Sequence, residues 1–492
     1  METYQMYYGG AWHDAVSGES FDSFNPYTGK PWARIPRGGS EDAARAIEVA
    51  HTAFADGEWS RMTATERGAL MRRVGDLIAA KAENLADIEV RDNGKLKAEM
   101  LGQTRYLPQW FYYYGGLADK IEGTVIPSDK PGVFNYTLHE PLGVCVAVAA
   151  WNSPLLLATW KFAPALAAGN TVIIKPSEFT SASALEYVKL FEEAGFPPGV
   201  VNVVTGYGPE IGQALIEHPL VRKVAFTGSV PSGQIVNETA AKTLKRVTLE
   251  LGGKSPNIVF DDAKMDNAVK GAISGIFAAS GQTCIAGSRL LIQKTIYDEF
   301  IDRLVAFAKT ARMGDPSDMA TQVGPITTPP QYQKTLDYIE IAKGEGAKLA
   351  LGGGPAARPD CGDGWFVEPT IFVDVDNQMR IAQEEVFGPV LSVIPFEDTD
   401  DAVRIANDVN LGLAAGVWTN DINRAQHMVK RLQAGTVWVN TYRAVSVTSP
   451  FGGYKMSGLG RVNGQAMIYD YLQTKSVWID SNEDVPNPFA LR

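Results

Sequence analysis

The segment 143–176, GVCVAVAAWNSPLLLATWKFAPALAAGNTVIIKP, decides how the rest of the chain is read. An apolar, β-branched run stops at Trp151-Asn152, a long apolar stretch opens at Ser153-Pro154, and a second β-branched run closes on Lys175. Ser and Pro are favoured where a helix begins, one as a cap and the other for its preset φ. Apolar runs without polar alternation mark strands covered on both faces. Strand, helix, strand in that order predicts a βαβ unit and a parallel sheet. The alternation continues to residue 252, with strands over 143–150, 171–175, 200–204, 221–227 and 246–251 and helices over 155–168, 181–194, 209–217 and 232–241. The expected class is α/β, with a Rossmann-like, doubly wound unit that takes nucleotides at the carboxyl ends of its strands.

Outward from this unit, residues 255–453 repeat the alternation, with strands near 257–260, 390–395 and 436–440 and a long helix over 266–279. A second α/β domain is expected there. The first 120 residues read mostly helical, with Ala43, Ile47, Ala50 and Phe54, then Leu70, Val74, Leu77 and Ile78, at helical spacing. Two strand-like pieces, 121–140 and 471–479, are isolated in sequence and could pair as an arm.

The chain has 492 residues, which at roughly 150 per domain implies about three domains. Its 45% apolar and 21% charged composition is that of a soluble globular protein. Forty-five basic against 56 acidic side chains leave a net charge of −11, so the footprint of a phosphate-backbone binder is missing and nucleic acid is not an expected partner. Residues 1–12 carry neither a basic n-region nor an apolar h-region, and the longest apolar run, 142–151, is well short of the roughly 20 residues that span a bilayer. No membrane association and a cytoplasmic location are expected. Cys145, Cys284 and Cys361 are too few and too far apart for a disulfide framework or a CxxC site, which predicts reduced thiols.

Several enzyme signatures fail on inspection. Gly206-Tyr207-Gly208-Pro209-Glu210-Ile211-Gly212 has three residues before its last glycine where the dinucleotide fingerprint has two. Gly253-Lys254-Ser255 imitates the end of a phosphate loop, yet Thr248 stands where the first glycine of that loop belongs. No serine lies in a GxSxG elbow. His13, His51, His139, His218 and His427 show no metal-binding spacing, so no metal is expected.

What remains is a set of polar residues at the edges of apolar strands, where a scaffold can turn them toward one crevice. Asn152 follows the first strand, Lys175 and Glu178 close the second, Phe226-Thr227-Gly228-Ser229 with Gly233 closes another and opens a helix, and Glu250 ends the last. Cys284 follows a polar turn, Gly281-Gln282-Thr283. Read alone, Glu250 and Lys175 serve equally as solvated strand ends, and Cys284 as a structural cysteine.

With these residues the sequence resembles the NAD(P)-dependent aldehyde dehydrogenases over essentially its whole length. The resemblance rests on Trp151-Asn152, Lys175-Pro176-Ser177-Glu178, Phe226-Thr227-Gly228-Ser229, Glu250-Leu251-Gly252-Gly253-Lys254, Gly281-Gln282-Thr283-Cys284, Glu385-Val386-Phe387-Gly388-Pro389 and Pro450-Phe451-Gly452-Gly453-Tyr454-Lys455, in the family's order. It implies residues 1–120 and 142–252 as the cofactor-binding domain, 253–464 as the catalytic domain, and 121–141 with 465–492 as an oligomerisation arm. It further implies oxidation of an aldehyde to the acid through a cysteine thiohemiacetal and thioester, in a homodimer or homotetramer.

By the same resemblance Cys284 is the nucleophile, Asn152 the oxyanion donor and Glu250 the base that activates water. The presence of Glu250 favours water over coenzyme A as the acyl acceptor. Trp151, Lys175, Ser177, Glu178, Gly208, Gly212, Phe226, Gly228, Ser229, Gly233, Glu385 and Phe387 are the implied cofactor residues. Glu178 favours NAD, since a carboxylate accepts from a ribose 2′-OH and repels a 2′-phosphate; the neighbouring Lys175 and Ser177 keep NADP open. Leu157, Trp160, Ile285, Arg443, Val445 and Phe451 are the implied substrate tunnel, apolar apart from Arg443, which would recognise a carboxylate on a semialdehyde or else face solvent. Val462 after Gly460-Arg461 and Gln473 depart from the family pattern, which puts a second acidic relay and the ion pairing of Arg461 and Arg246 in doubt. Two other classes stay open: a thiol esterase that needs no cofactor, and a non-catalytic protein on the same fold.

Overall fold

Two largely parallel sheets form the computed structural model, which describes residues 1–484 and 487–489. The first has eight strands, in the order Gly458–Leu459, Arg246–Glu250, Val221–Thr227, Val144–Val148, Thr171–Lys175, Val201–Val203, Met6–Tyr8, Ala11–His13. Its five central strands are parallel and its edges antiparallel. The strands Thr171–Lys175 and Val221–Thr227 have the bounds expected from their β-branched runs, and the first is buried at every residue. Chain order reverses between Val144–Val148 and Val221–Thr227, and a doubly wound sheet opens its crevice at such a switch point.

The second sheet has seven strands, Lys348–Leu351, Thr370–Val373, Val390–Phe396, Arg289–Gln293, Pro256–Val259, Ala414–Trp418 and Thr436–Val439, parallel except for the first pair. Helix Met265–Phe277 packs on it through Ala268, Val269, Ala272 and Ile276, the apolar stripe of an amphipathic helix. The arm forms as a three-stranded sheet in which Leu472–Asp480 pairs with Val133–Pro141 from Leu472↔Pro141 to Asp480↔Val133, and Val125–Ile126 lies on the outside. Residues 485, 486 and 490–492 of that expected arm lie outside the described residues. No helix among the described residues is long and apolar enough to cross a membrane.

The N-terminal reading needs correction. Residues 40–117 are helical as expected, with Ala43, Ile47, Ala50, Val74 and Ile78 buried, but five strands precede them between Glu2 and Pro36. They are two to seven residues long, and partners such as Val203 for Tyr7 lie far away in sequence, so the register comes from the tertiary fold. The segment read as a helix over 209–217 is also different: a π-helical turn, Gly208–Gly212, precedes the short α-helix Gln213–Glu217.

Candidate active site

The switch point gathers the residues that the sequence left scattered. Asn152 lies just beyond Val144–Val148, Thr227 ends the adjacent strand, Glu250 ends the next, and Cys284 follows the turn after Ala278–Gly281. Two cavities share these four side chains, a larger one of about 540 Å³ and a narrower one of about 130 Å³. Cys284 is therefore half-buried at a junction of two open spaces, whereas Cys145 is 2% exposed within a strand. The turn that presents Cys284 is tight: Ala279, Ser280 and Gly281 all have positive φ, and a Cβ on Gly281 would stand 2.0 Å from the Gly388 carbonyl oxygen. Only glycine fits that approach.

Asn152 is buried and donates one amide hydrogen to the Gln282 carbonyl at 3.1 Å, which fixes the side chain beside the cysteine turn and leaves its second hydrogen free. Glu250 is 5% exposed, and neither of its oxygens has a hydrogen-bond partner among the described residues. Burial pushes the Glu250 carboxyl well above the usual carboxylate pKa range, against the opposing pull of Lys161 and Arg461. Burial first, then Glu385 and Glu250, pushes the Cys284 thiol up to about 12, so the resting sulfur is protonated at neutral pH. Lys161, which the sequence reading passed over, donates to the Leu157 carbonyl at 2.8 Å and to Thr227 Oγ1 at 2.6 Å. Burial brings it down to about 7. Its signal was available: it is the one charged residue in the helix Pro154–Ala167.

The narrower cavity is walled by Trp151 and Phe387, whose rings meet edge to face at 5.2 Å, and by Gly228, Ser229 and Glu385. Ser229 caps the helix Val230–Ala241, whose first-turn N–H groups form a ready anion site. Glu385 accepts from Gly253 N–H at 3.0 Å, and a Cβ on Gly252 would fall 2.2 Å from its other oxygen, so that carboxylate rests against bare backbone. Lys175 and Glu178 face each other at 3.6 Å, too far for a hydrogen bond between them. Ser177 Oγ lies 3.4 Å from Glu178 Oε2, and Gly212 faces Lys175 Cε at 4.0 Å. An anion site on a helix N-terminus, with the Glu385 carboxylate in the same cavity and the Lys175–Glu178 pair at a neighbouring strand end, fits a dinucleotide, its pyrophosphate between two ribose diols.

Some expected cofactor residues act at one remove. The Phe226 ring lies beneath Gly228, 2.5 Å from where a Cβ would be, and Gly233 leaves room for Leu251, 2.5 Å from its absent Cβ. Both set how closely helix and strand approach. Gly208 has open space around it. Glu178 does not border the narrower cavity but a separate hollow of about 200 Å³ beside Phe21, Tyr207 and Trp365.

All six expected tunnel residues, Leu157, Trp160, Ile285, Arg443, Val445 and Phe451, line the larger cavity. So do Lys95, Glu99 and Gln103, which the sequence reading did not single out. Arg461 donates to the Gly453 and Gly460 carbonyls at 3.0 and 2.7 Å, and Arg246 donates to the Leu472 carbonyl. With Val462 and Gln473 nearby in place of acids, both arginines spend donors on backbone. Among the described residues, no group of three or more His, Cys, Asp or Glu side chains has metal-binding geometry.

Comparison with known proteins agrees with this geometry. The profile described as the aldehyde dehydrogenase family matches residues 12–477. The chain is 44% identical to (Z)-2-((N-methylformamido)methylene)-5-hydroxybutyrolactone dehydrogenase of Acinetobacter baylyi over 100% of both chains, and 47% identical to human aldehyde dehydrogenase 1A1 over 95% of this chain and 93% of that one. It is similar to a crystal structure of Staphylococcus aureus betaine aldehyde dehydrogenase in complex with NAD+ and with a modified cysteine, at a TM-score of 0.97 and 40% identity over 100% of both chains. An NAD+ complex of aldehyde dehydrogenase from Bacillus cereus matches at a TM-score of 0.95 and 42% identity, over 98% of this chain and 97% of that one. Alike in sequence from end to end and alike in fold, the chain belongs to the aldehyde dehydrogenase family.

Proposed function

We propose that the chain oxidises an aldehyde to the carboxylic acid, with NAD as hydride acceptor and Cys284 as the covalent catalyst. The observation that carries this reading is the junction of two cavities at Asn152, Thr227, Glu250 and Cys284, one largely apolar and one with the Ser229 helix N-terminus and the Glu385 carboxylate in its wall. A bare carbonyl has no electron pair ready to expel a hydride, so a tetrahedral centre must form first. Cys284 Sγ gives up its proton to solvent in the open cavity and bonds to the carbonyl carbon, while the carbonyl π pair moves onto oxygen. The free Asn152 amide hydrogen and the Cys284 backbone N–H stabilise that oxyanion. Gly228, Ser229 and Glu385 would hold NAD in the adjoining cavity, where it would supply the hydride acceptor for this centre. Glu250 then removes a proton from water, the hydroxide adds to the thioester carbon, and the C–S bond breaks to release the acid and restore the sulfur. Burial suits Glu250 to this work, since a raised carboxyl is a stronger base.

Lys175, Ser177, Glu178, Glu385 and the backbone at Gly228 and Ser229 would hold the dinucleotide, and Glu178 supports NAD over NADP. The division into a cofactor-binding domain (1–120, 142–252), a catalytic domain (253–464) and an arm (121–141, 465–492) belongs to the same reading. Phe134, Leu138, Trp478 and Ile479 are exposed on the arm, and an apolar sheet with an open edge supports its role in a homodimer or homotetramer. Three free cysteines support a reducing compartment such as the cytoplasm.

The test is NADH formation by the purified protein across aliphatic, aromatic and carboxylated aldehydes, with NADP in parallel and with Cys284→Ala as the control. Aldehyde-dependent NADH that vanishes in the variant is expected. Ester cleavage at full rate without nucleotide, and no NADH from any aldehyde, would replace this reading with the thiol esterase.

A further inference from the structure

Besides the two Glu250 oxygens, three buried side-chain atoms around the larger cavity have no hydrogen-bond partner within the described protein: Glu99 Oε2, Gln103 Oε1 and Trp160 Nε1. Glu99 and Gln103 stand one turn apart on the helix Lys97–Tyr106, a spacing that puts both on one face. The other Glu99 oxygen is committed, since it accepts from Ala279 N–H at 2.9 Å and lies 3.9 Å from Arg443 Nη1. Arg443 in turn donates to the Ser274 carbonyl at 3.4 Å. The one cation expected to attract a substrate carboxylate is thus already faced by a carboxylate of the protein. A second anion would meet Glu99 as well as Arg443, which argues against an acidic aldehyde.

Part of the remaining wall is aromatic. Trp110 and Trp160 stack at 6.2 Å and 23°, and Phe451 tilts against Trp160 at 5.2 Å. A volume of about 540 Å³ exceeds what a short alkyl aldehyde fills and lies in the range that takes a ring system. Flat apolar walls suit an aryl ring. Two acceptors and one donor suit a hydroxyl, which both donates and accepts and carries no charge.

We propose that the substrate is an aryl aldehyde bearing a ring hydroxyl not adjacent to the carbonyl, which donates to Glu99 or Gln103 while its ring lies against Trp110 and Trp160. This rests on the aldehyde-oxidising reading and names the substrate class for the same site. Leaving a buried polar atom unpaired is costly, so a substrate lacking the hydroxyl is penalised.

The test compares kcat/KM for 3-hydroxybenzaldehyde and 3-methylbenzaldehyde on the full-length protein with saturating NAD. The meta position keeps the hydroxyl out of conjugation with the carbonyl. The hydroxylated member is expected to be favoured about tenfold or more, and Gln103→Leu and Glu99→Gln are each expected to pull that ratio toward one. If a variant does not fold, the wild-type ratio alone decides. Equal values for the pair overturn the inference and leave aldehyde oxidation standing, because water then serves the same atoms. Preference for 3-carboxybenzaldehyde over both overturns it in favour of anion capture by Arg443. Failure with every aldehyde removes the oxidation reading and this inference with it.

Discussion

Replacing Glu250 with Gln keeps the shape of the side chain and removes its basicity. Glu250 is 5% exposed and neither oxygen is hydrogen-bonded to protein, so the change breaks no internal bond and relieves the cost of burying an ionisable group. Thermal stability is expected within about 1 kcal/mol of the parent, or above it. Activity should behave differently. A general base contributes about 10²–10⁴-fold, which at 1.36 kcal/mol per decade adds about 3–5 kcal/mol to the barrier for thioester hydrolysis. Stopped-flow absorbance of NADH separates the steps: a burst of about one NADH per site, then a steady rate lower by two decades or more. The pH profile carries the sign. A protonated carboxyl cannot accept a proton, and burial holds Glu250 protonated to higher pH than an ordinary glutamate. The steady-state rate of the parent should therefore climb with pH as Glu250 ionises, and E250Q should lose that climb. The Cys284 thiol, pushed up to about 12, accounts for any rise left further up the scale. A variant with the parental steady rate and the parental pH limb would refute the role given to Glu250.

Three further outcomes follow from the same geometry. Asn152→Ala is expected to lower kcat about 10²–10³-fold through loss of an oxyanion donor, and a fall of less than fivefold would assign the oxyanion to other groups. Glu178→Ala should reduce the preference for NAD over NADP about tenfold, read as the ratio of kcat/KM values, since it removes a negative charge from the expected ribose position; an unchanged ratio contradicts the placement. Trp478→Glu puts a charge in the middle of the exposed arm and should lower the mass measured by light scattering, whereas a wild-type monomer would show that the arm does not join subunits.

Fold and site were legible to different depths for physical reasons. Thr171–Lys175 could be read to the residue because a strand covered on both faces carries an apolar signal that no distant contact has to supply, and Val221–Thr227 because its apolar run Val224-Ala225-Phe226 outweighs Arg222 and Lys223. The strands between Glu2 and Pro36 were missed because their pairing is set by segments far away, and Arg289–Gln293, Thr370–Val373 and Ala414–Trp418 because a short apolar run does not distinguish strand from helix. Gly206 to Gly212 gave an ambiguous spacing, and the structure resolves it as a π turn whose last glycine sits against Lys175. The catalytic constellation came from family motifs, since strand-end placement alone left Glu250 and Lys175 open to a bland reading. Lys161 broke an apolar helix and could have been found as a buried charge. Glu99 and Gln103 could not, because on a largely polar helix nothing local separates a cavity face from a solvent face.

The central claim is that one sulfur carries the acyl group between hydride loss and hydrolysis, and trapping that bond tests it most directly. Enzyme carrying E250Q, quenched in acid during turnover with aldehyde and NAD and then digested, should show the acyl mass on the peptide that contains Cys284, and no such mass when NAD is omitted. NADH formed with no acyl group at Cys284, or formed equally well by Cys284→Ala, would contradict the account.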